Sequence, residues 1–173
     1  MKAFDIDFYT GSKEELLRQI FPACQQPFSY IVTPNVNHIV QLQHDQTLTE
    51  AYAMASHRIC DSRVLLPILG LFGVKPVEAI PGSTLTADLM EVAAEQQWTV
   101  TVVGCDADNM ALLREKSPGI TFRHTYPPMG FIKDEAAIGR CLDFVAAHPG
   151  QLVVLALGCP TQEIIAARIF ETA

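Results

Sequence analysis

The chain has 173 residues, 49% of them hydrophobic, enough to bury a substantial core within one domain, and its 12 Lys and Arg against 19 Asp and Glu give a formal net charge of −7. That balance disfavours a broad electrostatic footprint on nucleic acid or anionic lipid, so no nucleic-acid partner is expected and only local basic patches remain for such contacts. Met1 to Thr10 lacks the basic-then-apolar order of a secretion signal, and no segment reaches the roughly 20 apolar residues needed to span a bilayer, which together predict a cytoplasmic protein.

Eleven Pro and ten Gly are scattered between apolar segments. No linker or repeat is visible, and 1–173 reads as a single domain. The first strand is predicted over Phe4–Phe8. Ser12 followed by Glu15 reads as a capping box before the apolar Leu16, Leu17 and Ile20. A second strand, Ser29–Val32, runs into Thr33-Pro34-Asn35, where Pro34 keeps the preceding residue extended and so sets Thr33 and Asn35 at the strand's C-terminal end. Asn35 is either the cap of a helix beginning at Val36 or a polar group of a pocket. The third strand, His57–Cys60, delivers Asp61 to the edge of an unusually apolar segment, Val64–Val74. Low-dielectric surroundings of that kind suit a general base, while the structural alternative has Asp61 or Ser62 capping a helix from Arg63.

Further along, Ser83 or Thr84 is placed to cap a helix through Leu85, Leu89, Val92 and Ala93. The strand Thr99–Val103 then runs into Gly104-Cys105-Asp106, with Asp106 as the cap of Met110–Glu115. A strand over Ile120–Thr125 ends in Tyr126-Pro127-Pro128-Met129-Gly130-Phe131. The prolines stiffen this loop, Gly130 allows close backbone approach, and Phe131 is either a face for a planar base or plain core. Lys133 or Asp134 opens a helix through Ile138, Leu142 and Val145. The last strand, Leu152–Leu157, passes through Gly158-Cys159-Pro160 into a helix opened by Thr161. Gln162 can donate and accept towards a sugar or phosphate over that helix start, and Glu163 complements the helix dipole.

Alternating strands and helices predict an α/β fold, Rossmann-like, with a mainly parallel sheet flanked by helices. In such a sheet the turns at Gly104 and Gly158 line one edge, where helix N-terminal amides favour an anion such as phosphate, although a glycine after a strand also serves simply as a turn residue. Five Cys (24, 60, 105, 141 and 159) form no C-x-x-C pair and read as buried small thiols, and the five His form no spaced ligand set. No structural metal is expected.

Six segments in order resemble the WecG/TagA/CpsF glycosyltransferase family. They are Thr33-Pro34-Asn35 with Asn37, Cys60-Asp61-Ser62-Arg63, Ile80-Pro81-Gly82-Ser83, Val102-Val103-Gly104, Pro127-Pro128-Met129-Gly130-Phe131, and Leu157-Gly158-Cys159-Pro160-Thr161-Gln162-Glu163. The resemblance implies a UDP-sugar donor of the N-acetylhexosamine type, a polyprenyl-diphosphate-linked acceptor, and inverting transfer with no metal cofactor. It implies Asp61 as general base, with Thr33, Asn35 and Gln162 lining the sugar and diphosphate pocket. The donor's remaining contacts fall to Gly104, Asp106, Gly130, Phe131 beside the uracil, Gly158, Pro160 and Glu163.

The chain departs from the family pattern at Ser62, where Gly is usual, at Thr161, where Lys is usual, and at Ala79, where Arg is usual. The leaving diphosphate then has less charge stabilisation than the family provides. Family members also continue beyond the Gln-Glu helix with a basic, aromatic segment that closes the site and holds the enzyme on the membrane, whereas this chain stops at Ala173. The expectation is a single cleft lined by Thr33, Asn35, Asp61, Gly104, Phe131 and Gln162, open on one side and weak for UDP, with peripheral membrane contact only where that segment is present. A homo-oligomer is compatible with the sequence. The departures support a second reading, a UDP-sugar-binding domain of low or no activity, and a flavodoxin-like redox domain is a third.

Overall fold

A computed structural model describes residues 2–23 and 28–173, so Cys24, read above as a buried thiol, lies outside the described residues. The chain divides into two compact units, Met1–Thr86 and Ala87–Ala173.

The first unit opens with a hairpin of β1 (Lys2–Ala3) and β2 (Ile6–Asp7), paired antiparallel with Ala3 opposite Ile6. Phe4 and Asp5 form its turn at φ 56° and 61°, the left-handed pair that matches the twist of hairpin strands. The strand expected over Phe4–Phe8 is therefore broken at its start, because the turn takes Phe4 and Asp5. Helix α1 (Lys13–Ala23) begins with the capping box as expected: the Ser12 N–H donates to Glu15 Oε2 at 2.9 Å and the Glu15 N–H to Ser12 Oγ at 3.2 Å. Strands β3 (Ile31–Val32) and β4 (His57–Arg58) pair parallel, joined by α2 (Val36–Leu42) and α3 (Gln46–Met54), whose first turn is capped by Asp45. Isolated bonds prolong this pairing, Ile59 N–H to Val32 O at 3.0 Å and Asp61 N–H to Pro34 O at 3.1 Å, and on the segment after β4 the Cys60 carbonyl accepts the Ile80 N–H at 2.8 Å. Then follow α4 (Leu65–Leu71) and α5 (Gly82–Glu95), within which the boundary between the units falls.

The second unit is more regular. Strands β5 (Thr99–Gly104), β6 (Thr121–Thr125) and β7 (Leu152–Ala156) form a three-stranded parallel sheet in the order β6-β5-β7. Helix α6 (Ala107–Lys116) joins β5 to β6. A single 3-10 turn (Phe131–Lys133) and α7 (Glu135–Ala147) join β6 to β7, and α8 (Thr161–Thr172) follows β7. The central strand carries the β-branched run, and Val100 and Val102 cluster with Met90, Ala93, Met110, Ile120 and Phe122. Each fully buried side chain of this size contributes about 2 kcal/mol. The fold is α/β with parallel sheets flanked by helices, as the alternation of elements predicts.

Candidate active site

In the first unit, parallel pairing of β3 and β4 sends Thr33 and Asp61 out at the same edge of the pair. The Asp61 carboxylate does not cap the helix that follows it. Its Oδ1 accepts the Gly82 N–H at 2.6 Å, so it serves the start of α5 from 21 residues away. Ser62 Oγ instead accepts the Val64 N–H at 3.2 Å ahead of α4. The cap expected from Ser83 or Thr84 is displaced in the same way, since α5 already begins at Gly82. A Cβ at Gly82 would lie 3.0 Å from Thr33 Oγ1, so Thr33 sits directly against the glycine whose amide holds Asp61. Three sequence segments separated by tens of residues thus converge on Gly82. Asp61 Oδ2, half-buried, takes no hydrogen bond among the described residues and remains available as a proton acceptor.

Asn35 fills the structural role weighed for it. Its Oδ1 accepts the His38 N–H at 3.1 Å as the cap of α2, which leaves Nδ2 without a hydrogen bond among the described residues.

In the second unit, all three strand ends face one edge of the parallel sheet. Gly104, at φ +90°, turns the chain so tightly that a Cβ there would meet the Ala156 carbonyl oxygen of β7. Asp106 caps α6 as predicted, accepting the Asn109 N–H at 2.8 Å and its side-chain amide at 2.9 Å. These bonds, the backbone one foremost, hold its carboxyl below the usual carboxylate range. Burial pushes the neighbouring Cys105 thiol up, and the Asp106 charge adds to that.

His124 was not singled out from sequence as a site residue. Its Nε2 lies 3.0 Å from the Gly104 carbonyl and 2.9 Å from the Cys105 carbonyl, both acceptors, which assigns the proton to Nε2. With those carbonyls directed at His124, the amides of Cys105 and Asp106 on the same peptide planes point away from it. The signal is in the register, because β6 runs parallel to β5 with His124 opposite Val102, two residues short of Gly104. Nothing in the linear spacing announces it.

At the third junction Gly158 has φ +77°, and its N–H donates to Gln162 Oε1 at 3.2 Å, while Gln162 Nε2 donates to Glu163 Oε1 at 3.1 Å. Gln162 therefore braces its own turn and keeps one of its two amide hydrogens for another partner. Glu163 is 2% exposed, buried rather than lying open over the helix start, and Pro160 stands just before α8. Gly130, at φ +77°, turns the loop into the 3-10 helix and carries Phe131 inward to 6% exposure. The aromatic face expected to meet a planar base is thus turned into the protein. The exposed side chains of that loop are Tyr126, Pro128 and Met129.

A separate cleft of about 280 Å³ in the first unit is lined by Asp7, Phe8, Tyr9, Thr10, Ser56, His57 and Arg58, none of them a predicted site residue. Arg58 there donates from Nε to the Asp7 carbonyl at 3.2 Å and from Nη1 to the Tyr52 carbonyl at 3.0 Å, which ties it to the fold.

Strand ends gathered at one edge of a parallel sheet, with left-handed glycine turns after β5 and β7, form the kind of edge at which α/β folds bind ligands. The model of the Glycosyl transferase WecG/TagA/CpsF family matches residues 1–172, and the chain belongs to that family. Comparison with curated proteins gives no match. Family membership makes the chain a glycosyltransferase of cell-wall polysaccharide synthesis, using in general a nucleotide-sugar donor and a lipid-linked acceptor. Among the described residues no helix is long and apolar enough to cross a membrane.

Proposed function

We propose that the protein transfers an N-acetylhexosamine-type sugar from a UDP-sugar to a polyprenyl-diphosphate-linked acceptor, with inversion and without a metal. Asp61 is the general base. The observation that carries this reading is the fixed carboxylate: one oxygen is held by the Gly82 amide at 2.6 Å, and the other keeps a lone pair for the acceptor hydroxyl. The hydroxyl oxygen attacks the anomeric carbon, its proton passes to Asp61 Oδ2, and the bond to the UDP oxygen breaks. Thr33 and the Asn35 Nδ2 supply hydrogen bonds to the sugar. Within the second unit by itself, the amides of Cys105 and Asp106 and the remaining Gln162 N–H are oriented dipoles of the kind that stabilise a diphosphate without a cation.

The test is transfer of radiolabelled sugar to a polyprenyl-diphosphate-sugar acceptor, with and without EDTA, beside calorimetry with UDP. Transfer unaffected by EDTA is expected. UDP binding with no transfer under any condition would replace this reading with that of a binding domain. A coloured, flavin-bearing protein would overturn both.

A further inference from the structure

Tyr126 stands directly after β6 and directly before Pro127. A residue that precedes proline is held in extended backbone, so the pleat of β6 carries on one residue past Thr125. Alternation then sets Phe122, His124 and Tyr126 on one face of the strand. The first two members identify that face. Phe122 clusters with Met110 of α6, and His124 Nε2 donates to the Gly104 and Cys105 carbonyls at the start of the turn into α6. Tyr126 stands one pleat repeat, about 7 Å, beyond the imidazole that grips this turn. The register agrees, because Val103 lies opposite Thr125 and so brings Gly104 level with Tyr126.

A single exposed aromatic is ordinary on a protein surface, and it is the placement of Tyr126 that sets it apart. Its side chain is 63% exposed and enters no hydrogen bond or ring contact among the described residues, whereas Phe131, in the same loop, is 6% exposed. In a parallel sheet with the order β6-β5-β7, a ligand whose phosphates meet the turn after β5 extends its nucleoside over the end of the next strand in the chain, about twenty residues on. That strand end is where Tyr126 stands.

We propose that Tyr126, in place of Phe131, is the face on which the uracil of the UDP-sugar stacks, with the ribose spanning from this ring to the amides of Cys105 and Asp106. This rests on the reading of the protein as a UDP-sugar transferase, and it adds the residue that holds the base. Stacking removes ring surface of both partners from water, and the stiff Pro127-Pro128 backbone limits the order lost on binding. A ring face reads planarity and not the pattern of groups on the base edge, so Tyr126 supplies affinity and leaves the choice among bases to other contacts.

Calorimetry of the full chain with UDP, 5,6-dihydro-UDP and inorganic pyrophosphate tests this without turnover. Tyr126→Ala is expected to weaken UDP binding by about tenfold, and Tyr126→Phe, which keeps the ring, to stay within about twofold of the unaltered protein. Pyrophosphate, which has no base, binds all three alike. The unaltered protein prefers UDP over 5,6-dihydro-UDP, whose saturated ring is puckered, by about tenfold, and Tyr126→Ala abolishes that preference. Met129→Ala, at the exposed tip of the same loop, changes none of these affinities. Circular dichroism confirms that each variant is folded. Equal UDP affinity in Tyr126→Ala, a parallel loss of pyrophosphate binding, or a preference over 5,6-dihydro-UDP that survives the substitution overturns the proposal and leaves the transferase reading standing. An unaltered chain that binds no UDP overturns both. A chain that shows the expected pattern yet transfers no sugar overturns the transferase reading and keeps the stacking face.

Discussion

The two units of the chain use parallel strands differently. In the second, strands of five or six residues form a continuous ladder, and the sharp turns at Gly104 and Gly158 come from backbone geometry at the ends of regular elements. In the first, β3 and β4 hold only two residues each, and the segments that follow are carried by single backbone bonds and by one side chain, Asp61, on the Gly82 amide. Regular sheet edges present amides, which suit a charged, repetitive group such as a diphosphate. Irregular backbone instead presents individually placed side chains, which suit a proton acceptor.

That division of labour is broken most directly at Asp61. Asp61→Asn keeps an acceptor for the Gly82 amide but removes the proposed base, so the rate of sugar transfer is expected to fall by about a thousandfold while UDP binding measured by calorimetry stays unchanged. Full activity in this variant would remove Asp61 from the chemistry. Gly104→Ala attacks the other unit through its backbone. A Cβ meeting the Ala156 carbonyl, at a φ of +90°, costs roughly 3 kcal/mol. Urea unfolding followed by the fluorescence of Trp98, the chain's one tryptophan and part of the second unit, reads that loss.

Asn35→Asp sharpens the contrast, since Asp caps α2 as well as Asn but has no amide hydrogens. Stability is expected to hold within a few tenths of a kcal/mol while transfer falls by roughly tenfold. A variant with unchanged transfer would make Asn35 a cap and nothing more. The smallest effect concerns His57, whose pKa is lowered from the usual 6.5 by burial and then by the Arg58 charge. The unfolded chain therefore takes up this proton at higher pH than the folded one. The first unit should lose some stability as pH falls from about 6.5 through the folded midpoint. An NMR titration placing that midpoint at or above 6.5 would contradict the packing of this imidazole.

How much of this was legible in the linear chain depended on distance along it. The Ser12–Glu15 box and the Asp106 cap were readable because each bond spans three residues, and the Asp134 cap because its bonds span two and three, so spacing alone supplies the geometry. The strand Thr99–Gly104 is readable because its β-branched run is buried at the centre of a parallel sheet. The strand over Phe4–Phe8 was misread because a hairpin turn can hold Phe and Asp as well as Gly and Asn, and its left-handed backbone leaves no mark in hydrophobic alternation.

The amino-acid sequence by itself determined the α/β class, the local caps and the ordered motifs that place the chain in its family. Only tertiary structure decided that Asp61 answers to Gly82 rather than to its own helix, that His124 grips the Gly104 turn, that Phe131 faces inward, and that Tyr126 is left exposed. The first two depend on strand register and loop closure across about twenty residues, and the last two on what the rest of the fold covers. No residue's neighbours along the chain carry that information, because a hydrogen bond or a buried face is fixed by which distant segment arrives there.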